Sequence, residues 1–246
     1  MKYEQFMTTS KMILQETMDW IFPRRCPVCD DIVSLRGELI CPECRGKLQY
    51  ISDVRCCRCG KQLTDASKEF CYDCAHKNHL FERGVALYDY RSISDSIYRF
   101  KYKDRPEYAQ FYGEDLASKL AADILPWHPD ALIPVPLHTS KFRKRTYNQA
   151  ELIAREIGQH LDIPVYADLI KRVRKTRPQK ELDSAGRQKN LEKAFIMGRN
   201  DVKLKKTVII DDIYTTGSTI DAMASVLLCA GVEKIYFVTL SIGKGV

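Results

Sequence analysis

The stretch 208-VIIDDIYTTGSTI-220 decides the fold. Val208, Ile209 and Ile210 are β-branched and apolar, which suits a strand buried on both faces. They run into two adjacent carboxylates, Asp211 and Asp212. A polar loop, predicted over 213–219, follows. A helix over 218–230 then places Ile220, Met223, Leu227 and Ala230 inward. In strand–loop–helix units of this kind, ligands bind beyond the carboxyl end of the strand. The first turn of a helix offers unpaired N–H groups and positive potential, so it receives anions. Gly217 lets the backbone approach the anion closely, and Thr215, Thr216, Ser218 and Thr219 add hydroxyl donors. Asp211 and Asp212 would repel that anion, so they need a neighbour bearing hydroxyls or a divalent cation. A sugar phosphate satisfies both halves, with phosphate in the loop and ribose hydroxyls on the carboxylates. The plainer readings are an N-cap or turn, and the acidic end of a Walker B strand. Neither G-x-x-x-x-G-K-[ST] nor G-x-G-x-x-G occurs in the chain.

Outward from this motif, strand and helix patterns alternate. Strands are expected at 84–90, 131–136, 163–173, 194–197, 206–211 and 234–242, and helices in the run carrying Ile93, Ile97 and Phe100 and ending in 99-RFKYKDR-105, at about 106–124, in the run carrying Ala150, Ile153, Ile157 and Leu161, and at about 218–230. Near-continuous apolar strands between helices imply an α/β fold with a parallel sheet covered on both faces. The segments 99-RFKYKDR-105 and 140-SKFRKRTYNQ-149 are basic and aromatic. Residues 170–190 carry eight Lys/Arg against two acidic residues, which reads as a solvated surface or as a mobile arm for a polyanion.

Nine of the ten cysteines lie between residues 26 and 74. Adding 30 to positions 26, 29, 41 and 44 gives 56, 59, 71 and 74, all cysteines. Each half reads C-x2-C-x11-C-x2-C, an internal repeat. Two Cys-x-x-Cys turns complete a tetrahedral S4 site, so Cys26, Cys29, Cys41, Cys44 and Cys56, Cys59, Cys71, Cys74 are expected to hold two structural zinc ions, consecutive or cross-braced. Four thiolates leave no open position, which argues against a catalytic zinc. The ions substitute for a core that so short a segment cannot build. Cys57 and Cys229 are left over, and Cys229 is read as core. His76 and His79 are read as loop residues. Residues 1–80, an N-terminal helix plus the double zinc ribbon, and residues 81–246 form the expected domains.

No run of 18 apolar residues occurs, and the first 22 residues carry Glu4, Glu16 and Asp19 inside their apolar stretches. A cytoplasmic protein that does not span the membrane is expected. The formal charge of +7 falls to about +3 if each S4 zinc site carries about −2, which weakens a DNA-reading zinc-finger interpretation. No Ser-His-Asp or Cys-His set is apparent.

The motif 208–219 resembles the phosphoribosyl-pyrophosphate (PRPP) motif of type I phosphoribosyltransferases. The chain as a whole resembles the ComF family of competence-associated phosphoribosyltransferase-like proteins. Paired Cys-x-x-Cys units, 99-RFKYKDR-105, 133-IPVPLHTSKFRKRTYNQA-150, 176-TRPQKELDSAGRQKN-190 and the PRPP motif follow in the family's order. Thr146 stands where the family's Arg-Gly-Phe-Asn-Gln has glycine, and Tyr147 keeps the aromatic. The resemblance implies a type I phosphoribosyltransferase-like domain behind a small zinc-ribbon module. It places Asp211 and Asp212 on the ribose 2′- and 3′-hydroxyls and Thr215, Thr216, Gly217, Ser218 and Thr219 on the 5′-phosphate. The loop with Pro136, Leu137 and His138 faces pyrophosphate, supported by Lys141, Arg143 or Arg145. Residues 174–190, with Arg177, Lys180 and Arg187, form a lid. Mg2+ accompanies PRPP. The reaction would displace pyrophosphate at ribose C1. The rival is a non-catalytic protein of DNA import. It would bind single-stranded DNA through Tyr98, Phe100, Tyr102, Phe142 and Tyr147, or act as an adaptor beside a competence helicase at the inner face of the membrane.

Overall fold

The computed structural model describes residues 23–33, 37–174, 194–198 and 203–243, and of Lys144 the backbone alone. Its centre is a parallel four-stranded sheet. The strands are β1 (Arg83–Asp89), β2 (Ala131–Pro134), β5 (Lys206–Tyr214) and β6 (Lys234–Ile242), in the order β1-β6-β5-β2. A separate antiparallel pair, β3 (Ile170–Arg172) and β4 (Phe195–Met197), joins Lys171 to Ile196. The helices are α1 (Pro42–Arg45), α2 (Tyr72–His76), α3 (Tyr90–Tyr102), α4 (Tyr108–Ile124), α5 (Thr139–Arg145), α6 (Gln149–Leu161) and α7 (Ser218–Cys229).

The period-two pattern of the strands sorts the core into two layers. Val208 and Ile210 of β5 join Leu132, Val238 and Leu240 in a cluster with residues of α3, α4 and α6. Ile209 faces the other way, with Ile133, Ile235 and Phe237, against Ile220, Met223, Ala224 and Leu227 of α7. Burial on both faces is what a β-branched run without polar alternation requires.

The cysteine tetrads are consecutive: the sulfurs of Cys26, Cys29, Cys41 and Cys44 lie within 4.8 Å of one another, as do those of Cys56, Cys59, Cys71 and Cys74. The cross-braced alternative is thereby excluded. Sulfur separations of 3.9 Å (Cys29–Cys41) and 3.6 Å (Cys59–Cys71) match the edge of a tetrahedron with Zn–S bonds of about 2.3 Å. The donor set therefore fits structural zinc.

The two tetrads straddle the sheet. Cys26 and Cys44 belong to the α4/α6 layer, whereas the second tetrad belongs to the α7 layer. Between them the module covers the open edge of β1. Ile51 N–H donates to Leu87 O at 2.9 Å, Asp89 N–H to Gln49 O at 2.9 Å, and Gly84 N–H to Arg58 O at 2.7 Å. An uncovered strand edge is a pairing hazard, and the ribbons remove it.

Several expectations shift. Residues 139–145, for which no helix was expected, form α5. Of the expected strand 163–173, only 170–172 is a named strand, with an isolated bridge from Val165 to Leu132. Strand β5 continues three residues past Asp211, because Ile213 and Tyr214 still pair with Ser241 and Ile242 of β6. Cys229 is exposed and so is not core, and Ala230 lies beyond the last turn of α7. The expected N-terminal helix and most of the expected lid lie outside the described residues. Among the described residues, no helix is long and apolar enough to cross a membrane.

Gly60 sits at φ 72°, and a Cβ there would meet Gly84 O at 2.8 Å and Val85 Cα at 2.9 Å. Both constraints are backbone ones, so neither relaxes by a side-chain rotation. Gly60→Ala is expected to lower the unfolding free energy by about 1–3 kcal/mol, read from urea denaturation midpoints at fixed zinc concentration.

Candidate functional site

The carboxyl end of β5 and the start of α7 form one side of a cavity of about 330 Å³. Gly217 is the N-cap of α7 at φ 77°, a left-handed conformation that favours glycine. Space demands glycine too: a Cβ would lie 2.8 Å from His79 Cε1 and 2.8 Å from Tyr214 Oη. The turn is further fixed by the Thr216 and Ser218 hydroxyls, 3.0 Å apart. The N–H groups of the first helical turn have no intrahelical partner. With Thr215 and Thr219 lining the cavity beside them, the segment can accept an anionic ester.

Asp211 and Asp212 stand at the cavity floor. Asp212 is buried and pairs with Lys101 Nζ at 2.7 Å, both side chains being largely shielded from solvent. The Asp212 N–H donates to Asp211 Oδ1 at 2.9 Å. Burial, and then the charge of Asp212, push the Asp211 carboxyl up to about 7, against the pull of Lys101 and Arg172. A buried, shifted carboxylate beside a second one at a cavity makes the pair a candidate ligand site.

The facing wall comes from α5, α3 and β3. His138 caps α5 by accepting from Ser140 N–H. Helical spacing then puts Lys141 and Arg145, at i and i+4, on the cavity side. Arg145 donates to Gln149 Oε1 at 3.1 Å and to Tyr102 Oη at 2.9 Å, and its guanidinium lies 4.8 Å from the centre of the Tyr102 ring. Arg172 of β3 completes the wall. Burial depresses the Lys141 ammonium below its usual range, and the charges of Arg172, Arg145 and Lys101 add to the effect. Among the described residues, four cations thus oppose two carboxylates in one cavity, and the surplus favours an anionic ligand.

Of the residues singled out in sequence, Asp211, Asp212, Thr215, Thr219, Leu137, Lys141 and Arg145 line this cavity together. Thr216, Gly217 and Ser218 form the turn behind it. Pro136 is buried and His138 serves as a helix cap, neither lining the cavity. Arg143 is exposed and does not line it, because α5 is a helix and position 143 falls off the i, i+4 face. Arg177, Lys180 and Arg187 lie outside the described residues. The cations missed in sequence are Lys101 and Arg172. Lys101 had a signal, its place in 99-RFKYKDR-105. There Phe100 is buried, and its carbonyl accepts from Tyr147 Oη at 2.5 Å and Gln149 Nε2 at 3.2 Å. Arg99 donates to Val28 O at 2.7 Å, and Arg105 Nε lies 3.0 Å from Asp30 Oδ1. The end of α3 and the turn after it therefore hold the first cysteine knuckle with Arg99 and Arg105, and reach the carboxylate pair with Lys101.

A raised carboxyl stabilises the folded state fully below its unfolded value, and that contribution is lost as pH rises through about 7. Asp211→Asn removes this penalty. It is expected to stabilise the ligand-free protein by about 1–3 kcal/mol at pH 8 and by less at pH 5, measured by urea denaturation at both values. A gain that is equal at the two pH values contradicts the assignment.

Residues 17–75 match a double zinc ribbon domain, and residues 110–244 match a phosphoribosyl transferase domain. Competence protein F of Haemophilus influenzae is 29% identical over 225 residues, covering 87% of this chain and 95% of that protein. DNA utilization protein YhgH of Salmonella typhimurium is 30% identical over 222 residues, covering 87% and 94%. Competence protein ComFC of Bacillus subtilis is 27% identical over 206 residues, covering 79% and 80%. With its two cysteine tetrads ahead of a parallel-sheet phosphoribosyltransferase domain, the chain belongs to the ComF family.

Proposed function

We propose that the cavity binds PRPP with Mg2+ and that the protein is a phosphoribosyltransferase acting in DNA uptake. One observation carries this reading: a hydroxyl-rich turn at a helix N-terminus, two carboxylates and four cations converge on a single cavity. The 5′-phosphate sits on the turn from Thr215 to Thr219, where hydroxyls and unpaired N–H groups meet it. Asp211 and Asp212 accept from the ribose hydroxyls, which satisfies two carboxylates without placing them on phosphate. Lys141, Arg145 and Arg172 face the diphosphate and stabilise the charge that develops as its bond to ribose C1 breaks and a nucleophilic acceptor bonds to that carbon. Mg2+ supplies further neutralisation of the diphosphate. Positioning and electrostatics carry the reaction, with no covalent nucleophile. A role in DNA uptake is supported by the names of the relatives, competence and DNA utilization proteins.

Lys101 has a specific part in this reading. In the ligand-free site it neutralises Asp212. Ribose hydroxyls arriving on that carboxylate compete with the ammonium, which is then free to turn to the diphosphate.

A specific observation favours a second activity at the same mouth. Tyr98, Tyr102 and Phe142 are 55%, 59% and 48% exposed; Tyr102 lies against Arg145, and Tyr98 lies against Tyr102 with ring centres 5.1 Å apart. Exposed rings next to cations suit base stacking along a single strand. Phe100 is fully buried and Tyr147 is partly buried against the core, so these two are structural.

Titration with PRPP and Mg2+ by calorimetry tests the main reading. Wild-type protein is expected to bind, and Asp212→Asn to bind at least about tenfold more weakly, a loss of about 1.4 kcal/mol. Equal binding by both proteins removes the ribose assignment.

A further inference from the structure

The segment between Cys74, the last cysteine of the second tetrad, and β1 is fastened from behind to the turn that opens α7. Asp221 lies in the first turn of α7. Its Oδ1 accepts from Leu80 N–H at 3.0 Å, and its Oδ2 lies 2.8 Å from His79 Nδ1 and 3.6 Å from Lys77 Nζ. Lys77 also donates to the carbonyl of Thr216 at 3.4 Å, reaching the turn itself. The side chain of His79 has no solvent exposure. Its ring stacks on Phe81 at 4.6 Å, and it would be struck at 2.8 Å by any Cβ on Gly217. Lys77, His79 and Leu80 follow Cys74 by three to six positions in the chain. Tyr214, whose hydroxyl also backs Gly217, sits in the same apolar cluster as the second tetrad.

A carboxylate in the first turn of a helix suits the helix dipole, but it opposes an anion bound at the same end. At Asp221 that conflict is resolved by pointing the carboxylate away, onto a donor, an imidazole and an ammonium. The fastening therefore has a job that packing alone does not require.

We propose that His79 and Asp221 are positioning residues for the phosphate turn, through which the second cysteine tetrad holds Thr215–Thr219 in the shape that receives a phosphate ester. Neither residue touches the ligand. They fix where α7 begins and press the floor beneath Gly217. The inference rests on the sugar-phosphate reading of the cavity and adds that one zinc ribbon is a working part of that site.

The test uses the full-length, zinc-loaded protein and two probes, ribose 5-phosphate and magnesium diphosphate, each titrated separately. Asp221→Ala is expected to weaken ribose 5-phosphate about tenfold, leave magnesium diphosphate within about twofold, and retain the zinc content of the wild type. Lys77→Ala, at a partly exposed side chain, is expected to weaken ribose 5-phosphate about threefold. It gives a reading even if the aspartate variant does not fold. His79→Asn, which keeps a donor towards Asp221, is expected to bind close to wild type, and His79→Leu is not. Unchanged ribose 5-phosphate binding in the Asp221 and Lys77 variants overturns the inference. So does a parallel loss of both probes, which marks a merely structural role. Failure of the wild type itself to bind ribose 5-phosphate overturns the sugar-phosphate reading beneath it.

Discussion

Two carboxylates at the end of a strand buried on both faces cannot both stay ionised without an opposing charge. Asp211 and Asp212 meet this constraint incompletely: Lys101 neutralises Asp212, while Asp211 is left with a raised carboxyl. Removing such a conflict would be simple, since an apolar pair would extend the Val208–Ile210 run. A fold that keeps it stores destabilisation at the place where a ligand can relieve it. The surrounding elements are arranged around that conflict. Helix α3 brings the lysine, α5 and β3 bring further cations, and α7 turns away from the carboxylates at Gly217.

The cysteine module supports this arrangement from both sides of the sheet. The first tetrad lies in the α4/α6 layer and is tied to the end of α3 by Arg99 and to the turn after it by Arg105. The second lies in the α7 layer, and the chain leaving it reaches Asp221 through His79. Between them the ribbons cap the β1 edge with backbone hydrogen bonds. Metal thiolate sites give a short segment rigidity that a small apolar core could not provide. Here that rigidity is delivered to both halves of the cavity.

Much of the architecture was legible because local pattern and burial agreed. Strand β6 spans the residues that its apolar run indicated, and Ile93, Ile97 and Phe100 face inward at helical spacing. The tetrads followed from a repeat of 30 residues. What escaped the sequence depended on tertiary contact. The basic run 140–149 showed no apolar helical stripe. A histidine cap nevertheless opens a helix at 139–145, whose spacing puts Lys141 and Arg145 on the cavity side and leaves Arg143 outside it. Lys101 and Arg172 are ordinary basic residues until the fold points them at Asp211 and Asp212. His79 lies in a loop as its sequence indicated, but its partner, Asp221, is 142 residues away and could not be read from it. Ala230 fitted the apolar stripe of α7, but the helix stops one residue before it.

Diffraction from crystals grown with PRPP and Mg2+ tests the central claim most directly. The expected density places the 5′-phosphate on the turn from Thr215 to Thr219 and the ribose hydroxyls on Asp211 and Asp212, with Lys101 drawn off Asp212. A ligand bound elsewhere, with the Lys101–Asp212 pair intact and the turn unoccupied, would contradict it.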